Sequence, residues 1–367
     1  MNKFKSVLPA LGLLAAVAVA PAQAALIIQL DFVSGTSVSE QTAFTSAANF
    51  WAGQFSDNVS LRFTVGTATL GAGVLATADS AAVEASYSTV RAAMVADIVS
   101  ANDSTAVARL PNTSAVSLYL NRTSNSPNGS GSATAFTDAD GDANNTTLEL
   151  TTANAKALGL TVSTGAQTAT GCITTCDGYI VFGNSFTYDF DRTNGIISGT
   201  YDFFGLALHE IGHALGFISG VDALDTNSTN LFFRDDLFTF VSPLDLFRCS
   251  ATAAGAGALI DWTASTSAKS FSLYSNCTNT LGTFSTGKVQ GDGHQASHWK
   301  DNLALGIMDP TAGTGELLAV TALDLTAFDV IGWNLASSAI PEPIGLALTG
   351  SWLAGMVAAR RRRRRQG

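Results

Sequence analysis

The sequence predicts a mixed α+β fold. Strand-like segments at residues 26–32 and 59–65 enclose a helix-like segment at residues 40–55, and a strand at residues 178–184 precedes a helix at residues 203–215. Alternating apolar residues favour a strand, whereas apolar residues three and four apart favour a helix. We therefore expect a mixed sheet in the N-terminal half of the chain, with helices packed against it.

Each element rests on its own apolar pattern. The helix at residues 40–55 is expected to bury Phe44, Ala47, Phe50 and Trp51. The strand at residues 59–65 follows from the alternation of Val59, Leu61, Phe63 and Val65. A helix at residues 87–99 would bury Val90, Met94, Val95 and Ile98. After residue 216 regular structure is sparse until a capped helix at residues 321–331, which Gly332 ends.

Composition limits the classes of partner. Charged residues make up 13% of the chain and the formal net charge is −10. Without Lys3, Lys5 and the arginines 360–365, 11 basic residues remain against 28 acidic ones once Glu342 is set aside, so the middle of the chain carries about −17. That charge argues against nucleic acid or an anionic membrane as a partner of the folded region.

The N-terminus predicts a signal peptide. Lys3 and Lys5 precede an apolar run at residues 7–20, and the small residues at 22–24 suit a signal peptidase, which we expect to cut after Ala24. An uncleaved membrane anchor is the alternative, but the apolar run is short for one.

The C-terminus carries three segments in a fixed order. Pro341-Glu342-Pro343 is followed by an apolar stretch at residues 344–359 and then by six arginines. This tail resembles a PEP-CTERM sorting signal. The resemblance implies export across the inner membrane of a Gram-negative bacterium, transient anchoring through residues 344–359, processing by an exosortase, and a final location at the cell surface or outside the cell. A permanent tail anchor, or a basic tail that binds nucleic acid, is the alternative.

The four cysteines agree with export into an oxidising compartment. Three disulfide pairings are open, and we favour Cys172 with Cys176 and Cys249 with Cys277 because each pair closes a local loop. A zinc knuckle is the competing interpretation, although the spacing of the last two cysteines does not suit it.

All four histidines fall into two pairs with four-residue spacing. His209 and His213 flank Glu210 in a segment predicted to be helical, so both imidazoles would lie on one face and could bind a single ion. Asp202 can cap this helix and Gly216 can end it. The spacing predicts a zinc site in which Glu210 is the general base and not a ligand. A chance match on a core helix is the alternative.

The pattern His209-Glu210-x-x-His213-x-x-Gly216 resembles the metzincin clan of zinc metallopeptidases. That clan usually has a third ligand three residues after the glycine, where this chain has Ser219. A late His298 followed by Met308 resembles the leishmanolysin-like branch, with Met308 in a Met-turn. Residues 203–217, 295–310 and 321–333 also look like a group of exported bacterial metalloproteases with PEP-CTERM tails.

Other residues compete for the third ligand position. His294 is the rival of His298, and Asp222 and Glu316 are weaker candidates. Gly291 and Gly293 favour a turn at the start of this segment. We prefer His298 because it is nearer to Trp299 and to the predicted Met-turn.

These assignments imply a fold and a function. The resemblance implies a metzincin-like fold, with an N-terminal catalytic subdomain at residues 25–217 that carries the zinc helix and a less regular C-terminal subdomain at residues 218–335 that carries the third ligand. The predicted signal peptide at residues 1–24 precedes these subdomains, and the predicted sorting tail at residues 336–367 follows them. We expect a zinc metalloendopeptidase that hydrolyses a protein or peptide substrate. A catalytically silent zinc-binding protein of the extracellular polymer is the alternative.

An acidic loop is a candidate calcium site. Asp138, Asp140, Asp142 and Glu149 occupy positions 1, 3, 5 and 12 of an EF-hand-like count, but Ala143 stands where that count needs a glycine. The competing interpretations are a solvated acidic loop and a calcium-dependent adhesin.

Overall fold

The computed structural model describes residues 26–162, 169–229 and 233–337. The predicted signal peptide and the body of the predicted sorting tail lie outside these residues. Within the described ranges, no helix has the length and apolar character needed to cross a membrane.

The described chain contains both helices and several small sheets, which confirms the mixed α+β prediction. The strands are β1 Ile27–Phe32, β2 Ser60–Ala68, β3 Ala76–Ser80, β4 Ala82–Ser86, β5 Leu118–Leu120, β6 Phe136–Asp138, β7 Thr147–Thr151, β8 Gly178–Gly183, β9 Tyr188–Asp189, β10 Tyr201–Asp202, β11 Arg248–Cys249, β12 Ile260–Asp261, β13 Lys269–Phe271 and β14 Gly282–Phe284. The helices are α1 Val38–Gln54, α2 Tyr87–Ala96, α3 Ala101–Arg109, α4 Ala143–Thr146, α5 Thr152–Ala157, α6 Phe203–Ala214, α7 Val221–Asn227, α8 Ala251–Gly255 and α9 Ala322–Val330.

The largest sheet has the strand order β1-β2-β8-β3. β1, β2 and β8 are parallel, and β3 runs antiparallel to β8 at the edge of the sheet, with Ala78 opposite Ile180. The order matches the apolar pattern, since Leu61, Phe63 and Val65 of β2 are all buried. β3 therefore forms one edge of this sheet.

Helix α1 joins this sheet to α6. The Phe44 ring of α1 packs edge-on against Phe182 of β8 and Phe203 of α6. The Trp51 indole N–H donates to the Leu208 carbonyl at 3.0 Å. Both aromatic side chains are fully buried, so the position of α6 is fixed by the core and not by helix propensity alone.

The C-terminal half is built from short elements. β11, β13 and β14 form one three-stranded sheet, while β12 pairs in parallel with β5 in another. Strands from both predicted subdomains therefore share a sheet. The predicted disulfides Cys172–Cys176 and Cys249–Cys277 are both present, which confirms the pairing and leaves no cysteine for a zinc knuckle.

The helix predicted at residues 87–99 is three residues too long. α2 ends at Ala96 and a separate helix, α3, begins at Ala101. The Ser100 side chain and Asp103 form a capping box that starts α3, so the chain turns there instead of continuing as one helix. As a result Val95 and Ile98, which we expected to be buried, are 42% and 38% exposed.

A group of carboxyl groups near the end of α2 should make stability depend on pH. Burial raises the pKa of Asp97 to about 7, with Asp57, Asp103 and Asp329 adding repulsion, and burial raises the pKa of Asp57 and Asp329 to about 6 each. The folded state then binds protons more tightly than the unfolded state, whose aspartates have a pKa of about 3.9. Stability is therefore expected to fall as pH rises from about 4, near the unfolded pKa, to about 7, the highest of the folded values. In melting curves, Tm should depend less on pH in Asp97→Asn than in the wild type. Asp79→Asn, at an exposed aspartate, is the control and should behave as the wild type does. Equal pH dependence of Tm in all three proteins would contradict this prediction.

Candidate metal centre

Helix α6 carries the first two histidines. Its N-terminus is capped by the Asp202 carboxylate, which accepts the Gly205 N–H at 3.0 Å and pairs with Arg192 at 3.1 Å. The helix ends before Gly216, whose φ of +119° lies in the left-handed region that favours glycine. The predicted cap and the predicted stop are both in place.

Three histidine rings converge at the floor of a cleft. His213 Nε2 lies 3.1 Å from His209 Nε2 and 3.1 Å from His298 Nε2, and the remaining pair of Nε2 atoms is 3.3 Å apart. Among the described residues, these three side chains are the group that could hold a metal ion. The structure thus brings His298 to the helix pair from 85 residues away.

Each ring is oriented by its other nitrogen. His209 Nδ1 lies 2.7 Å from the Ile307 carbonyl oxygen and His213 Nδ1 lies 2.7 Å from the Phe217 carbonyl oxygen. His298 Nδ1 lies 3.3 Å from the Gln295 carbonyl oxygen. A carbonyl only accepts, so each Nδ1 carries the hydrogen and each Nε2 offers a lone pair to the common point.

The surroundings keep the three rings neutral. Burial lowers the pKa of His209 to about 4 and that of His213 to about 3, with His209 adding repulsion in the second case. Burial and both other rings hold the pKa of His298 well below its ordinary value. Neutral imidazole is the form that binds a metal cation.

Glu210 lines the cleft beside these rings. It is one position along α6 from His209, it is 6% exposed, and it does not belong to the converging group. Burial raises the pKa of its carboxyl group to about 8. The side chain is therefore placed to act on something held next to the histidines without itself being a ligand.

Met308 packs against α6 at Gly212, the residue that directly precedes His213. A Cβ added at Gly212 would lie 2.6 Å from Met308 Sδ, so only glycine leaves room for this methionine. Met308 is fully buried, and its carbonyl oxygen accepts the Trp299 N–H at 2.9 Å. The residue is thus part of the floor beneath the site and is connected to the segment that carries His298.

Asp324 holds the residues on either side of this packing, Ile307 and Trp299, and was not predicted as a functional residue. Its buried carboxylate accepts the Ile307 N–H at 2.9 Å and the Trp299 indole N–H at 2.8 Å. The Ile307 carbonyl in turn orients His209. In the sequence, Asp324 is visible only as the third residue of a helix capping box.

The cleft above the histidines has a volume of about 620 Å³. One wall is the edge strand β3 with the turn before it, including residues 73–78. Residues between 295 and 312 also line the cleft, as do Leu206, His209, Glu210 and His213 of α6. An extended chain could lie in this cleft alongside β3.

The other predicted candidates do not belong to the converging group, although Asp222 and Ser219 line the same cleft. The His294 ring lies 3.4 Å from the Asp301 carboxylate on the surface side of its turn. Exposed Glu316 accepts the Gly313 N–H at 2.6 Å. Asp222 is buried and accepts hydrogen bonds from the segment before His298. The residue at the compact third-ligand position, Ser219, donates to Asp245 at 2.6 Å.

No family model, no curated protein and no solved structure matches this chain.

The residues of the predicted calcium loop lie on different elements of the fold. Asp138 ends β6 and accepts the Asn144 amide at 2.9 Å. Glu149 lies in β7, directly opposite Glu84 of β4. Asp140 and Asp142 lie in the turn before the short helix α4. Within the described parts of the chain, these carboxylates do not converge as the histidines do.

Proposed function

We propose that this protein is an exported zinc-dependent metalloendopeptidase with a metzincin-like catalytic centre. The observation that carries the proposal is the convergence of three Nε2 atoms within 3.3 Å of one another, with Glu210 beside them on the wall of an open cleft. Late His298 and Met308 support the leishmanolysin-like form of this centre.

The donor set fits zinc. Zinc–nitrogen bonds of about 2.0–2.1 Å in a tetrahedral site place the nitrogens about 3.3 Å apart. The three Nε2 atoms already have separations of 3.1–3.3 Å. Bound there by three neutral imidazoles, zinc would lower the pKa of a water ligand to about 7 and polarise a substrate carbonyl.

Glu210 supplies the proton transfers. The positive charge of bound zinc would favour the ionised form of this buried carboxyl group, and the carboxylate takes one proton from the attacking water as the water oxygen bonds to the scissile carbonyl carbon. The same group then gives that proton to the amine nitrogen as the carbon–nitrogen bond breaks. Both steps need a carboxylate that is beside the metal ligands without being one of them, which is where α6 places Glu210.

The cleft suits an extended peptide. β3 pairs with β8 on one side, and its residues 76–78 line the cleft. A substrate strand that hydrogen-bonds to β3 would extend the sheet and lie across the histidines. Some metzincins have a tyrosine two residues after the Met-turn methionine, but Pro310 stands at that position here, so oxyanion stabilisation has to come from another group or from the metal.

The peptidase proposal is tested by metal-dependent proteolysis. Purified protein is expected to degrade an unfolded protein substrate, to lose this activity after chelation, and to regain it with about one equivalent of zinc per chain. Cleavage measured by gel and by mass spectrometry of the fragments checks the result. Protein that binds one zinc per chain yet cleaves no member of a diverse peptide library would favour the silent zinc-binding alternative.

A further inference from the structure

His298 is held in place in a different way from His209 and His213. His209 and His213 are held by the regular hydrogen bonds of α6. His298 instead follows a series of turns at residues 290–297, outside any helix. Because a metal site requires ligands held within a few tenths of an ångström, other groups must fix this segment.

One such group is Asp222, near the start of α7. Its carboxylate accepts the Ala296 N–H at 2.6 Å, the Ser297 N–H at 3.1 Å and the Ser297 hydroxyl at 2.6 Å. Three hydrogen bonds thus hold the two residues that directly precede His298. Hydrogen bonds to an ionised carboxylate are about twice as strong as neutral ones.

The other group is Arg248, which is fully buried on the far side of the same segment. Its guanidinium donates to the Ala296 carbonyl and, at 3.2 Å, to the Ser285 carbonyl. The Ser285 N–H in turn donates to the His298 carbonyl at 3.0 Å. The Asp222 carboxylate therefore holds the Ala296 N–H, and the Arg248 guanidinium holds the Ala296 carbonyl.

Arg248 is itself tied to the turn that follows α6. Its Nε lies 3.2 Å from the Asp245 carboxylate, and that carboxylate accepts the Ser219 hydroxyl at 2.6 Å and the Gly220 N–H at 2.9 Å. Ser219 stands where the compact motif has its third ligand. The position therefore connects, through Asp245 and Arg248, to the segment that carries the distant histidine.

We infer that Asp222 and Arg248 form a clamp that positions His298 as the third metal ligand. The inference rests on the proposed metal centre and assigns both residues a positioning role, since neither belongs to the converging group. α6 ends at Ala214 and α7 begins at Val221, so one short turn joins the helix that carries His209 and His213 to the helix that carries Asp222. The clamp therefore connects the two helical ligands to the segment that carries the third.

The test compares Asp222→Asn with Asp225→Asn. Asp225 lies on the same helix, and its carboxylate accepts the Val289 and Gln290 N–H groups of the same loop at 2.7 and 2.8 Å, farther from His298. Asp222→Asn is expected to weaken zinc affinity by roughly 10- to 100-fold. It should also change the visible absorption spectrum of the cobalt-substituted protein, whereas Asp225→Asn should keep the wild-type affinity and spectrum.

Several outcomes would overturn the clamp. The first is a zinc dissociation constant and a cobalt spectrum in Asp222→Asn that equal those of the wild type. The second is an equal change in Asp222→Asn and Asp225→Asn, which would show that the effect comes from the general order of the loop. If Asp222→Asn fails to fold, Ser297→Ala removes one of the three hydrogen bonds and should shift affinity in the same direction by less. Metal binding is measured without substrate, so a protein that binds zinc but cleaves nothing still tests the clamp, while wild type that takes up no metal overturns both proposals.

Discussion

Replacing Glu210 with glutamine is expected to lower kcat/KM for peptide hydrolysis by a factor on the order of 10²–10⁴ or more while zinc stays bound. Glutamine keeps the size and shape of the side chain, but its amide cannot accept the proton of the attacking water. The metal should stay because the three histidine nitrogens converge without help from Glu210. The measurement is the rate of cleavage of a fluorogenic peptide, together with the zinc content of the same sample.

Glu316→Gln is the matched control for this experiment. Glu316 is an exposed carboxylate in the loop after Met308, and its contact with the Gly313 N–H is remote from the histidines. This variant should keep both activity and zinc. Substantial activity in Glu210→Gln would show that another group takes the proton, and loss of zinc from Glu210→Gln would show that Glu210 supports the metal instead.

The elements that the sequence predicts correctly are those that carry their own local signals. α6 combines apolar spacing with the Asp202 cap and the Gly216 stop, and α9 has the Thr321 cap with Asp324 three residues later. The end of α2 was placed three residues too late because the apolar spacing continues to Ile98, and α3 was not predicted. There the hydrogen bonds of the Ser100 capping box outweigh the periodic pattern.

The candidate site divides in the same way. The converging histidines could be predicted because histidine is so scarce in this chain and because four-residue spacing has a direct geometric meaning on a helix. The contacts of Asp222, Arg248 and Asp324 could not be predicted, because each side chain holds backbone groups that are distant in sequence, and Asp222 was considered only as a weaker ligand candidate. Asp222 holds a segment 74 residues away, and backbone N–H groups leave no pattern in the side chains.

The structure also resolves an ambiguity that the sequence left open. His294 and His298 have the same four-residue spacing as the helical pair, so a helix there would have aimed both at one ion. The segment forms turns instead, in which His294 faces Asp301 while His298 faces the other two rings. The second pair therefore supplies one member of the converging group.

His298→Ala is consequently expected to reduce bound zinc from about one equivalent to well below one per chain, and to abolish peptide hydrolysis. Two neutral nitrogens from α6 would remain, which is one fewer than the three protein ligands usual in a catalytic zinc site. Zinc content after dialysis and a competition titration with a chromogenic chelator measure the effect. Circular dichroism and Tm check that the variant is folded.

His294→Ala makes the comparison decisive, because it removes the same side chain four residues earlier in the same loop. The variant should retain zinc and activity, since it loses only a contact with Asp301 at 3.4 Å near the surface. If His294→Ala lost the metal and His298→Ala kept it, the third ligand would be His294 and the loop would have to rearrange when zinc binds. If both variants kept the metal, the converging rings would not be the zinc site. Loss confined to His298→Ala is the result that follows from three Nε2 atoms facing one point.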